Sequence, residues 1–189
     1  MKPWIPSLIL AVLMSVLAFS QRSGSPAMER SMSGTFKVSR IVIRKEQRTL
    51  ESYDGDVLKK TYKIALGFAP SGDKEIEGDG KTPEGEFYVF TKNPQSKFHL
   101  SVGISYPSKD DAHRGFANGL INKTERDAII SAIDAKKMPP QKTKLGGEIY
   151  LHGGGTERDW TWGCVALKNE DIDELFDAIP VGSTVTILP

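Results

Sequence analysis

Cys164 is the single cysteine of this 189-residue chain. It follows His152 by twelve positions in the segment YLHGGGTERDWTWGCVAL, residues 150–167. A thiol is weakly ionised at neutral pH because its ordinary pKa is about 8.5. A neighbouring imidazole can take that proton and hold the thiolate as an ion pair, the chemistry of nucleophilic acyl transfer. Glycines punctuate the loop between the two, with Gly153, Gly154 and Gly155 after the histidine and Gly163 before the cysteine. They permit close backbone approach and unusual φ, which suits a reactive side chain at a loop mouth. Blander roles stay open for the same residues. A free cysteine is often a small buried hydrophobe, a strand-end histidine a structural hydrogen-bonder, and Trp160 and Trp162 can simply pack over the loop. Zinc needs three or four convergent ligands, and His99 and His113 lie in unrelated segments, so no metal or other cofactor is expected.

The elements that must position this loop are mostly strands. Alternation and turn signals predict strands over 36–45, 49–53, 57–66, 86–90, 100–104, 148–151 and 184–188, with Asp54-Gly55 as a hairpin turn. Residues 69–85 hold Pro70, Gly72, Gly78, Gly80, Pro83 and Gly85 and read as a structured loop. Two helices are predicted. Asn122 caps the first, with Glu125 as its capping-box partner and Ala128, Ile129, Ala132 and Ile133 as its apolar face. Asn169 caps the second, which carries Ile172, Leu175, Phe176 and Ile179 on one side and stops at Pro180. The expected fold is mainly β, a sandwich or partly open barrel of mixed strands with two short packed helices.

Composition bounds the function. Hydrophobic residues make up 39% and charged residues 26%, an ordinary globular balance. The net charge is +1, and setting Lys2 aside leaves 24 basic residues against 24 acidic. That is not the basic footprint of a nucleic-acid binder. Lys2, the apolar run over 5–19, and Ala18 and Ser20 at positions −3 and −1 before Gln21 read as a secretory signal peptide over 1–20. The run falls short of the ~20 residues that span a bilayer, so no stable membrane span is expected after cleavage. Residues 21–35 read as a flexible Ser/Gly-rich tether, leaving 36–189 as the folded domain. In an exported chain a lone thiol either pairs with another chain or is kept for its reactivity.

His152-Gly153 at a strand end, followed by Thr161-Trp162-Gly163-Cys164, resembles the catalytic signature of the L,D-transpeptidases, the YkuD-type domain. Residues 78–87, GDGKTPEGEF, are similar to that family's Gly-Asp-x-x-Thr-Pro-x-Gly-x-Phe hairpin. Residues 100–107 with Asp111 and Arg114, and the closing Asn169-x-Asp171-Ile172-x-x-Leu175-Phe176, extend the likeness over 36–189. Trp162 stands where the family usually has histidine, and Ala166 and Leu167 replace an Arg or Asn often found after the cysteine. The resemblance implies an L,D-transpeptidase fold and a Cys164 thioester with peptidoglycan tetrapeptide stems. D-Ala would leave and an amine, of another stem or of an envelope lipoprotein, would accept the acyl group in the periplasm or cell wall. His152 is then the base, Gly153 offers a carbonyl to orient it, and the N–H groups of Cys164 and of Gly163 or Trp162 serve the oxyanion. Tyr106, Arg114, Lys81 and Thr161 are substrate-binding candidates. A peptidoglycan hydrolase that trims stems or releases wall-bound lipoprotein is the first alternative, and an inactive wall-binding relative the second.

Overall fold

The computed structural model describes Met1 and residues 37–189; the expected signal peptide and tether lie outside the described residues. Eight strands form one open mixed sheet: β1 (Arg40–Arg44), β2 (Thr49–Asp54), β3 (Val57–Lys63), β4 (Gly85–Ser96), β5 (His99–Ile104), β6 (Tyr150–His152), β7 (Val165–Ala166) and β8 (Thr184–Leu188). Their spatial order is β3-β2-β1-β8-β4-β5-β6-β7. Among the described residues no helix is long and apolar enough to cross a membrane.

Strand β1 sits between antiparallel β2 and parallel β8. Its Ile41-Val42-Ile43 run is buried throughout, the unbroken apolar pattern of a strand covered on both faces. Strand β4 is long enough to serve two neighbours. Gly85 to Tyr88 pair with β8, and from Val89 onward the strand pairs with β5, so the sheet turns at that point toward the site. The main core gathers Ile41, Ile43, Leu50, Val102, Leu151 and Val165 beneath Ile172 and Leu175 of α3 (Asn169–Ala178).

Two other helices make three among the described residues, one more than the sequence suggested. The added helix, α1 (Lys109–Ala117), is opened by a Ser108–Asp111 capping box that lacks an apolar stripe to announce it. Helix α2 (Lys123–Asp134) has the expected Asn122–Glu125 box. Ala112, Ile121, Ile129 and Leu145 form a second small core between α1, α2 and the following loop. Through Leu145 that core anchors residues 138–148, one wall of the cleft described next.

Candidate active site

The site is built where β6 ends. Strands β6 and β7 run parallel with Leu151 opposite Val165 and His152 opposite Ala166. Leu151 and Val165 are fully buried in the core. Side chains alternate along a strand, so His152 and the residue before Val165, which is Cys164, lie together on the opposite face. Sequence neighbours twelve apart are thus brought to one face by a two-residue strand. Among the described residues no hydrogen bond joins their side chains. The Cys164 thiol donates instead to the Glu148 carbonyl at 3.4 Å.

The imidazole is 3% exposed. Its Nδ1 lies 2.6 Å from the Gly153 carbonyl oxygen, which can only accept, so Nδ1 carries the proton and Nε2 the free lone pair. Burial lowers its pKa from the usual 6.5, and the Gly153 bond opposes this. Burial pushes the Cys164 thiol up to about 11, with the Tyr150 backbone N–H partly offsetting it. Both shifts favour the uncharged forms. Burial of both groups thus works against a thiolate–imidazolium pair.

The Cys164 loop is held by a lattice of backbone contacts. Gly163 has φ +123°, and a Cβ there would lie 2.7 Å from the Lys81 carbonyl oxygen. The expected 78–87 hairpin is instead a loop over 78–84 that leads into β4, and it fits directly against the glycine before Cys164. Within it, the Thr82 hydroxyl accepts from the Gly67 N–H at 3.0 Å, and buried Lys45 binds the carbonyls of Gly72 and Thr82 and the Glu84 carboxylate. The Asp79 carboxylate accepts from Lys74 and from the N–H groups of Glu75, Ile76 and Lys81. On the far side Asp159 accepts from Arg48 and from the Leu66 N–H, fixing the segment just before Trp160.

Cys164 opens into a cleft of about 930 Å³. Lys142, Lys144, Glu77, Glu125 and Glu148 are among its lining residues, together with the exposed Trp162 ring, while the Lys74 ammonium beneath it is buried and bound to Asp79. Trp162 is 71% exposed and meets the Phe68 ring edge-on at 4.9 Å.

Several residues expected at the site have other places. Tyr106 is completely buried and its hydroxyl donates to the Leu145 carbonyl, so it is a core residue and not a substrate contact. Thr161 is also buried. Its hydroxyl donates to the Cys164 carbonyl and accepts from the Gly163 N–H, which corrects its reading as a substrate ligand and removes Gly163 as an unengaged oxyanion donor. Arg114 lies outside the cleft, bound to Asp73, Asp111 and the Lys74 carbonyl. Lys81 presents its carbonyl to Gly163, while its ammonium lies 3.9 Å from Glu75. The N–H groups of Cys164 and Trp162 donate to no protein acceptor among the described residues.

Other contributors gave no sequence signal of their role. Asn169, expected as a helix cap, is already inside α3, and its side-chain oxygen accepts from the Gly154 N–H at 3.0 Å. Gln141 ties the cleft wall together, accepting from the Glu148 N–H and donating to the carbonyls of Tyr106 and Pro139. Phe98, at the β4–β5 turn, stacks on the His152 ring. Among the described residues no group of three or more His, Cys, Asp or Glu side chains is placed to hold a metal ion.

The L,D-transpeptidase catalytic domain model matches residues 38–187. Similar curated proteins include the candidate L,D-transpeptidase YafK of Escherichia coli K12, 27% identical over 187 positions covering 92% of this chain and 63% of that protein. The candidate L,D-transpeptidase YkuD of Bacillus licheniformis is 26% identical over 152 positions, 79% of this chain and 66% of that protein. The chain thus spans just under two thirds of the length of these relatives. In fold it is similar to the helical cell shape determining protein Pgp2 of Campylobacter jejuni, with a TM-score of 0.55 at 23% identity over 79% of this chain and 47% of that one. The family match takes in the sheet, the three helices and the Cys164 loop, and this chain belongs to the L,D-transpeptidase catalytic domain family.

Proposed function

We propose that this protein is an exported cysteine acyl-transferase acting on peptidoglycan tetrapeptide stems in the periplasm or cell wall. The observation that supports the reading is the register of β6 and β7, which puts His152 and Cys164 on one face of the sheet, with Cys164 lining a large cleft. In the first half-reaction His152 Nε2 takes the thiol proton as Sγ attacks the diaminopimelate carbonyl. The C–N bond to the terminal D-Ala breaks, and the same proton passes to the departing amine. In the second, an amine attacks the thioester, His152 accepts its proton, and the thiolate leaves and is reprotonated. The Gly153 carbonyl keeps the ring oriented in both halves. The N–H groups of Cys164 and Trp162 serve the developing oxyanion, each worth about 3 kcal/mol in such sites. The mixed lysine and glutamate lining suits a stem that carries both carboxylates and an ammonium. The acceptor is the amine of a second stem or of an envelope lipoprotein.

Incubating the purified protein with tetrapeptide muropeptides tests this. Crosslinked dimers with release of D-Ala are expected, and C164A should yield none. Shortened monomers alone would assign hydrolysis in place of transfer. Stems that stay unchanged while the protein still binds sacculi would make it a wall-binding relative.

A further inference from the structure

Two aromatic rings meet around the imidazole, and only one of them, Trp160, belongs to the segment between His152 and Cys164. Phe98 stacks on His152 with centroids 4.7 Å apart and planes 28° apart. Trp160 approaches the imidazole edge-on at 5.5 Å and Phe98 at 5.6 Å. Trp160 is itself anchored, its indole N–H donating to the Gly155 carbonyl at 3.2 Å. Phe98 comes from the distant β4–β5 turn, whose geometry is fixed at several points. Its N–H donates to the Ser96 hydroxyl. His99 adopts φ 74°, a left-handed conformation that a non-glycine residue holds only when its surroundings enforce it. The His99 Nε2 lies 2.6 Å from Asp173 on α3. The Phe98 carbonyl and His99 Cβ also close on Gly153, where an added Cβ would meet them at 2.9 and 3.0 Å. Yet the Phe98 side chain is 48% exposed, so its placement is not accounted for by core packing.

We infer that Phe98 is a positioning residue for His152: its ring lies against one face of the imidazole, fixes its plane so that Nδ1 stays on the Gly153 carbonyl, and keeps water from that face. The inference rests on the proposed role of His152 as base. A stacked planar neighbour restricts rotation about the final torsion of a histidine, which is otherwise broad. If the ring swung away, Nδ1 would lose its acceptor and the lone pair on Nε2 would lose its direction. Trp160 limits the same motion from the edge. The titratable groups on the segments around the ring are Cys164 before β7, Tyr150 on β6, His99 on the turn, Asp173 on α3, and Glu157, Arg158 and Asp159 on the loop. None of them contributes to the downward shift of His152, which comes from burial. Removing a ring that supplies burial should therefore move the titration upward.

The test compares F98A and F98Y with the wild type by imidazole NMR titration and by steady-state kinetics. F98A should raise the His152 titration midpoint by about half a pH unit or more as water reaches the ring. It should also lower kcat by about tenfold or more with KM changed less than about threefold. F98Y, which keeps the planar ring, should restore both. An F98A titration equal to the wild type, or a loss confined to KM, would overturn the inference. F98L covers the case in which F98A folds poorly: it keeps apolar bulk without a plane, so kcat should still fall while the titration midpoint moves less than in F98A, and a wild-type kcat in F98L would overturn the inference. The NMR readout needs no turnover, so a wild-type protein inactive on stems would refute the proposed function while the role of Phe98 is still decided.

Discussion

The carbonyl oxygen of Lys81 lies against the α-carbon of Gly163, so close that a methyl group on that glycine would stand 2.7 Å away. The obstacle is backbone, in a loop already pinned by Asp79, Thr82 and Lys45, and has little room to retreat. Gly163 also has φ +123°, a conformation costly for any L side chain. G163A should therefore lose about 1–3 kcal/mol of stability. Thermal unfolding should fall by about 2–4 °C for each kcal/mol lost. Modification of Cys164 should fall further than stability does, because the peptide before the thiol moves.

The thiol should titrate late. With burial holding Cys164 near 11 and His152 below its usual value, alkylation by iodoacetamide should climb steadily above pH 8, without a plateau near neutrality. A rate that levels off well below pH 8.5 would restore the thiolate–imidazolium ground state. Turnover should instead follow neutral His152. It should rise with pH through a midpoint below 6.5, because a lowered pKa keeps the base unprotonated at more acidic pH.

Asn169 should matter to rate more than to fold. Its Oδ1 holds the Gly154 N–H, and a single partly exposed hydrogen bond contributes about 0.5–1.5 kcal/mol. N169A should unfold only slightly earlier than the wild type, yet turn over more slowly because the glycine loop next to His152 loosens. Parallel melting and single-turnover measurements separate the two effects.

Asp79 links stability to acid. Burial pushes its pKa up, but Lys74 and the N–H groups of Glu75, Lys81 and Ile76 outweigh it and hold the carboxyl below its ordinary 3.8. A depressed folded pKa means the contribution is fully present above the unfolded value and is lost as pH falls through the folded one. D79N should be about 2 kcal/mol less stable near pH 7. The gap between the two proteins should close below about pH 4, which denaturant titrations at several pH values would read.

Much of this architecture was legible in the residues. The Ile41-Val42-Ile43 run announces β1, the Asp54-Gly55 turn announces the β2–β3 hairpin, and Asn122 with Glu125 announces α2, because each is a local signal with a local cause. Helix α1 escaped notice because its buried face is Asp111, Ala112 and Gly115, with no apolar stripe. The sequence also offered the Gly153 carbonyl as the partner of the His152 ring, which is where Nδ1 lies. It could not separate substrate contacts from supports: Tyr106 and Thr161 carry hydroxyls fit for either, and only burial and partners distinguish them. Asn169, Gln141 and Phe98 act across 15, 7 and 54 positions of chain, and no local pattern encodes such contacts.

The nucleophilic role of Cys164 is tested most directly by exposing the protein to a carbapenem and weighing it intact, then mapping the modified peptide. One covalent adduct on Cys164 is expected, absent from C164A and formed more slowly in H152A. A folded wild-type protein whose thiol stays unmodified under those conditions would contradict acyl transfer at this site.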